Sequence, residues 1–253
     1  MSSSLAGKVV LITGAASGIG KATALKLGKL GSNLVLTDIV DINYDVAFPE
    51  SAKESDKSPI ITAELDVSNE AQCKLVIDEV VQYYGRLDHV VNCAGINPTA
   101  YSITNLPDGY FDKLWSVNVR GTHNVTVAAL PHMKDNSGCT FVNVSSVMGL
   151  RPGAKSAPYC ATKFAIIGYS KSLALELGPK GIRVNIIAPG FIDTPTNNSV
   201  VEGPDAVKRS EASVSLGRMG TPDEIADAVA YLMSDEARYC NGSVLEINGG
   251  LSY

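Results

Sequence analysis

Thr13-Gly14-Ala15-Ala16-Ser17-Gly18-Ile19-Gly20 follows the apolar run Val9-Val10-Leu11-Ile12 and opens a helical pattern that continues to Leu30. Glycines at a strand-to-helix junction allow a tight turn. They also let a pyrophosphate approach the helix N-terminus, where free N–H groups and the helix dipole favour an anion. The stretch therefore predicts a strand, a phosphate-cradling turn and a helix, the opening unit of a dinucleotide-binding α/β domain. Gly14 and Gly18 are four apart, whereas the general fingerprint sets its first two glycines two apart. A glycine-rich turn that serves packing alone thus stays open at this point.

Outward from this turn, short apolar runs recur at 9–13, 33–38, 60–66, 89–94, 140–145, 183–188 and 243–247, with helical patterns between them. Such runs read as strands buried on both faces, the habit of parallel sheets covered by helices. Their alternation with helices predicts a doubly wound α/β fold: a seven-stranded parallel sheet with helices on both faces. No repeat or linker interrupts the pattern, so one domain is expected over 1–253. Thr221-Pro222-Asp223-Glu224 supplies a cap, a first-turn proline and an acid that can reach back, predicting a helix to about Met233. A second helix is predicted from near Pro158 to Gly178-Pro179-Lys180-Gly181, with Ile166, Ser170, Leu173 and Leu177 on one face. The stretch 41–58 is polar, weakly periodic and broken by Pro49, and reads as an irregular connection. A second irregular stretch spans 191–215.

The 253 residues are 45% hydrophobic and 19% charged, the balance of a globular chain with a developed core. A net charge of −5 offers no footprint for nucleic acid or an anionic membrane, both of which attract clustered Lys and Arg. Small-molecule chemistry is expected instead. Five cysteines in no paired spacing suggest neither a disulfide framework nor a metal site. His89, His123 and His132 show no ligand spacing, so no metal is expected. Residues 1–7 lack a charged region followed by an apolar run, and no apolar stretch is long enough to span a bilayer. The expected location is the cytoplasm.

Asp38 ends the second strand, where an acidic residue would accept hydrogen bonds from an adenosine ribose. A 2′-phosphate about 5 Å from that carboxylate would be repelled by roughly 3 kcal/mol per unit charge at an effective dielectric near 20. That is on the order of a hundredfold in affinity. Ser17 and Ile39 supply no compensating charge, so NAD(H) is expected over NADP(H). Further on, Tyr159 and Lys163 fall one helical turn apart. A free tyrosine is only about 0.1% ionised at pH 7, so proton chemistry at Tyr159 calls for a nearby cation, which Lys163 can supply. Ser146 could hydrogen-bond a reacting oxygen. The Tyr–Lys spacing by itself also occurs in helices where it is only structural.

The turn at 13–20 together with Ser146 and Tyr159-Cys160-Ala161-Thr162-Lys163 closely resembles the short-chain dehydrogenase/reductase family, over residues 8–250. The resemblance implies a Rossmann sheet and an oxidoreductase. It marks Asn118, Ser146, Tyr159 and Lys163 as the catalytic set. For the cofactor it marks Gly14, Ser17, Gly18, Ile19 and Gly20 in the turn, Asp66-Val67 at adenine, and Asn92, Ala94 and Gly95 in Asn92-Cys93-Ala94-Gly95. Cys93 departs from the family's asparagine. Pro189-Gly190-Phe191-Ile192-Asp193-Thr194 resembles the segment where Ile192 and Thr194 hold the carboxamide and pyrophosphate. By the same resemblance, Tyr159 moves the proton, Ser146 steadies the oxygen, and Lys163 lowers the Tyr159 pKa and binds the nicotinamide ribose. Asn118 holds a relay water. A homotetramer or homodimer is implied as well.

Substrate contacts are expected from 96–99, with Asn97, from 148–151, with Met148, and from the loop at about 191–215, because ligands of open α/β sheets sit beyond the carboxyl ends of the strands. Ser146 and Tyr159 would touch the substrate too. Valines mixed with polar residues in that loop suit a medium-sized, largely apolar secondary alcohol or ketone, of steroid, terpenoid or other secondary-metabolite type. Two alternatives remain: a 3-oxoacyl-(acyl-carrier-protein) reductase, which Leu216-Gly217-Arg218-Met219-Gly220-Thr221-Pro222 also resembles, and a non-catalytic dinucleotide sensor or scaffold.

Overall fold

Val9, Val10, Leu11 and Ile12 are each no more than 1% exposed, and they divide between two hydrophobic clusters. Val9 and Leu11 enter one, Val10 and Ile12 the other. Alternate side chains of a strand point to opposite faces, so this strand is covered on both. In the computed structural model, which describes residues 4–42, 60–97, 100–198 and 203–251, the strands are β1 (Val9–Thr13), β2 (Asn33–Asp38), β3 (Ile60–Glu64), β4 (His89–Asn92), β5 (Thr140–Val144), β6 (Arg183–Pro189) and β7 (Val244–Ile247). They form one seven-stranded sheet in the order β3-β2-β1-β4-β5-β6-β7. All the pairings are parallel, with Leu11 opposite both Val35 and Val90.

The helices divide by face. On one side α1 (Gly18–Lys29) brings Ala24 and Leu27 to the cluster of Val10 and Ile12. Three others pack on the opposite side: α2 (Glu70–Tyr84), the composite α3 (Tyr110–Leu114) and α4 (Gly121–Ala129), and α5 (Ala157–Leu177). Further along, α6 (Pro204–Ala212) lies in the segment after β6, and α7 (Pro222–Met233) packs on α1. The seven-stranded doubly wound sheet read from the sequence is the fold observed.

Strand ends show why the predicted bounds shift by a residue or two. The run 89–94 leaves the ladder at Asn92 because the Cys93 and Ala94 N–H groups both donate to Thr13 Oγ1, at 3.1 and 3.0 Å. The run 60–66 stops at Glu64, and the Asp66 N–H then donates to Gln72 Oε1 at 3.1 Å. The capping box at Thr221 is present, with both reciprocal bonds to Glu224, and α7 ends at Met233 as expected. Ile166, Ser170 and Leu177 are buried along α5. The stretch 191–215 carries more order than an irregular loop. Pro204 opens α6, Asp205 stands in its first turn and Arg209 in its last, each favoured at that end. Residues 43–59, most of the predicted 41–58 connection, lie outside the described residues, as do 98–99 and 199–202.

One feature of the helices has no signal in the sequence. Between α3 and α4 the chain takes a π turn at Trp115–Arg120, and Asn118 sits in it. Single π turns widen the helix by one residue and often fall at functional sites.

Candidate active site

At the centre of the sheet, β1 and β4 are neighbours whose following connections run to opposite sides, and a cleft opens above their carboxyl ends. Its volume is about 620 Å³, and the turn at 14–20, Asp38, the end of β4, Ser146, Tyr159, Lys163 and the segment after β6 all line it. Gly14 has φ of +69°, and a Cβ there would lie 2.9 Å from Ala94 Cα. Only glycine permits both the backbone conformation and the close approach of the two strand ends. Gly18, with φ of +51°, faces Thr194, whose methyl would be 3.3 Å from a Cβ. Ser17 precedes α1 with no side-chain capping bond, so the first turn of α1 keeps N–H groups for a ligand. A turn with no room for side chains, at an uncapped helix start, fits the pyrophosphate of a dinucleotide.

The acidic residues are held in place. Asp38 Oδ2 accepts from the Ala16 N–H at 3.0 Å, which fixes the carboxylate beside the turn. Asp66 Oδ1 accepts from the Ser68 N–H at 2.9 Å and its hydroxyl at 2.7 Å. Val67 packs under Gly121, where a Cβ would come 2.5 Å from Val67 Cγ2.

Tyr159 and Lys163 lie one turn apart at the start of α5, and both line the cleft. Ser146 Oγ accepts from the Met148 N–H at 3.1 Å and hydrogen-bonds the Tyr159 phenol. Burial pushes the Tyr159 pKa up to about 12, with the Ser146 bond opposing. The phenol is only half-buried by its exposure to the cleft, so solvent there softens the push. Lys163 is 6% exposed, and burial lowers its pKa to about 8. Its ammonium stands 5.6 Å from the Tyr159 ring centroid and donates to the Val144 carbonyl at 3.1 Å. Burial is thus the largest influence on the Tyr159 phenol.

Two residues marked from the sequence stand behind the cleft wall. Asn118, fully buried, accepts from the Ile96 N–H at 2.8 Å and donates to the Ile96 carbonyl at 3.0 Å and to Thr162 Oγ1 at 3.2 Å. Its own carbonyl accepts from the Thr122 hydroxyl at 2.9 Å. Asn92 is 3% exposed and donates to Asn143 Oδ1 at 2.8 Å, inside the sheet. All the other marked residues, Asn97 and Met148 among them, line the cleft.

The cleft also has walls not foreseen. Tyr110, Lys113 and Val117 line it from one face of the α3 region. Their spacing marks a helical face, but nothing in it says what the face meets. Leu251 lines it as well, beside Ser213 of the expected 191–215 loop, and no local pattern connects Leu251 to the cleft.

Residues 14–252 match the family described as "Enoyl-(Acyl carrier protein) reductase". The 3-oxoacyl-(acyl-carrier-protein) reductase of Thermotoga maritima is 40% identical over 248 residues, which are 98% of this chain and 98% of that one. The levodione reductase of Leifsonia aquatica is 34% identical, over 97% of this chain and 94% of its own. A crystal structure of a short chain dehydrogenase from Burkholderia cenocepacia in complex with NADP is similar at a TM-score of 0.86 and 32% identity, over 98% of both chains.

Proposed function

Because the chain belongs to the short-chain dehydrogenase/reductase family, a family of oxidoreductases, we propose that it interconverts a secondary alcohol and a ketone with NAD(H), Tyr159 carrying the proton. The observation that carries this is the convergence of Ser146, Tyr159 and Lys163 on one cleft with the glycine turn. A nicotinamide dinucleotide held there would supply the hydride for the carbonyl carbon, or accept it from the alcohol carbon. In reduction the Tyr159 phenol gives its proton to the carbonyl oxygen, and in oxidation tyrosinate takes it from the hydroxyl. Ser146, held by the Met148 N–H, steadies the charge on that oxygen. Lys163, with its ammonium 5.6 Å from the Tyr159 ring centroid, supplies positive charge there and would hold the nicotinamide ribose. With its amide engaged on Ile96, Asn118 acts by fixing the 94–97 segment that forms the cleft wall.

For the cofactor, the 14–20 turn would hold the pyrophosphate, Asp38 the adenosine ribose, and Asp66 with Val67 the adenine. Pro189, Gly190, Ile192 and Thr194 would hold the carboxamide end. A similar chain holds NADP, so the preference must come from residues particular to this one. Asp38, fixed 3.0 Å from the Ala16 N–H, supports NAD(H). Among the residues lining the cleft, the apolar Ile96, Met148, Phe191 and Leu251 support a medium-sized apolar substrate.

A second reading is favoured by the 40% identity to the Thermotoga maritima enzyme: reduction of a 3-oxoacyl thioester. One experiment separates the two. A panel of secondary alcohols, ketones and an acetoacetyl thioester is assayed with each cofactor by nicotinamide absorbance. Turnover of a free ketone or alcohol with a strong preference for NAD(H) is expected; preference for the thioester with NADPH would replace the first reading by the second.

A further inference from the structure

Leu251 reaches the cleft wall beside Ser213 through a run of contacts that begins in β7. Glu246 receives Arg151 as a fork, Nη1 to Oε2 at 2.6 Å and Nη2 to Oε1 at 3.5 Å. The same Oε2 accepts from Asn248 Nδ2 at 3.2 Å, and Asn248 Oδ1 accepts from the Gly250 N–H at 2.9 Å. The Gly249 and Gly250 carbonyls accept from the Leu216 and Ser215 N–H groups, at 3.1 and 3.2 Å. The Ser215 hydroxyl also donates to the Gly250 carbonyl at 2.7 Å, and Val214 and Leu251 pair as an isolated antiparallel bridge.

Glycine is required at the two central positions. Gly249 and Gly250 have φ of +63° and +75°; a Cβ on the first would lie 2.7 Å from Val214 Cγ1, and on the second 2.9 Å from Ser215 Cβ. Backbones are thus drawn together where side chains would hold them apart.

Each anchor belongs to a different wall of the cleft. Arg151 leaves the segment that carries Ser146 and Met148. Residues 214–216 close the segment that carries α6. Gly190, at the end of β6, donates its N–H to the Ile247 carbonyl at 3.0 Å, and a Cβ there would lie 2.9 Å from Asn248 Cα. The fork, the 214–216 contacts and the Gly190 contact tie residues 246–251 to three walls of the cleft.

We propose that Leu251, held by the clasp of residues 246–251, is a specificity-determining residue that closes the substrate end of the cleft on an apolar group and limits its size. The proposal rests on the alcohol–ketone reading above. It is tested on the full chain with Leu251→Ala, Leu251→Trp, Glu246→Gln, and the exchanged pair Arg151→Glu with Glu246→Arg. The substrates are ketones graded in the bulk of one apolar substituent. Leu251→Ala should raise the kcat/KM ratio of bulky to small ketone by about tenfold, and Leu251→Trp should lower it, with NADH affinity unchanged. Glu246→Gln should speed amide hydrogen exchange at Ser215 and Leu216 and move the same ratio, and the exchanged pair should restore both.

An unmoved ratio in both Leu251 variants overturns the specificity role. Unchanged exchange in Glu246→Gln overturns the clasp. If the unaltered chain binds NADH but turns over no ketone or alcohol, the alcohol–ketone reading falls and the specificity role with it. The exchange measurement still decides the clasp.

Discussion

Tyr159 and Lys163 are pulled toward neutrality by the same burial, in opposite senses of charge. Desolvation disfavours a charged form, so the phenol is pushed up to about 12 and the ammonium down to about 8. At neutral pH the phenol holds its proton and can give it, while Lys163 is still mostly charged. With saturating NADH, kcat/KM for ketone reduction should be level through neutrality and fall above about pH 8, as Lys163 loses its charge. Oxidation should rise with pH over the same range, because it needs the phenol's base form. A reduction profile that climbs through pH 8 to 10 would contradict the role given to Lys163. Tyr159→Phe should lower kcat by about 10²–10⁴-fold, the usual worth of a positioned acid or base, with NADH affinity by fluorescence preserved. Undiminished turnover would remove Tyr159 from the mechanism.

Among the elements, the turn into α1 and the cap of α7 make opposite predictions. Gly14 occupies left-handed backbone space against Ala94, so Gly14→Ala meets a conformational cost of about 1–2 kcal/mol and a steric conflict with the end of β4. Both a lower Tm and weaker NADH binding should result, because the displaced atoms line the cofactor cradle. Thr221→Ala removes a bond from a capping box, costing about 1 kcal/mol. It should lower Tm alone, as Thr221 does not line the cleft. Equal NADH affinity in Gly14→Ala and the unaltered chain, by fluorescence titration, would show that the turn serves packing alone.

For the whole molecule, α3, α4 and α5 carry apolar side chains on their outer surface. Phe111 and Trp115 stack with ring centroids 5.9 Å apart, Val127 and Phe164 are about half exposed, and Leu175 is 83% exposed. Exposed apolar side chains on these helices are what a contact between subunits would cover. We expect a homodimer or homotetramer by light scattering, and dissociation in Trp115→Glu with Phe164→Glu. A monomer at all concentrations would refute this. Among the described residues no helix is long and apolar enough to cross a membrane.

The fold was legible because its determinants are local. Runs such as Val9-Val10-Leu11-Ile12 declare a strand buried on both faces, Gly14 and Gly18 declare a turn without side chains, and Thr221 with Glu224 declares a helix start. Tyr159 and Lys163 were legible because helical spacing alone places them together. The remainder depends on contacts between distant residues, which one-dimensional spacing does not encode. That Asn118 turns away from the cleft follows from the π turn and its bonds to Ile96. That burial pushes the Tyr159 phenol up follows from the packing around it. Residues separated by 95 positions, Arg151 and Glu246, meet only when the sheet has formed, and through them Leu251 becomes a wall of the cleft. The sequence by itself determined the sheet, the glycine turn after its first strand and the one-turn spacing of Tyr159 and Lys163. Only the tertiary structure decided which side chains line the cleft, because that lining is built from segments whose proximity arises in folding.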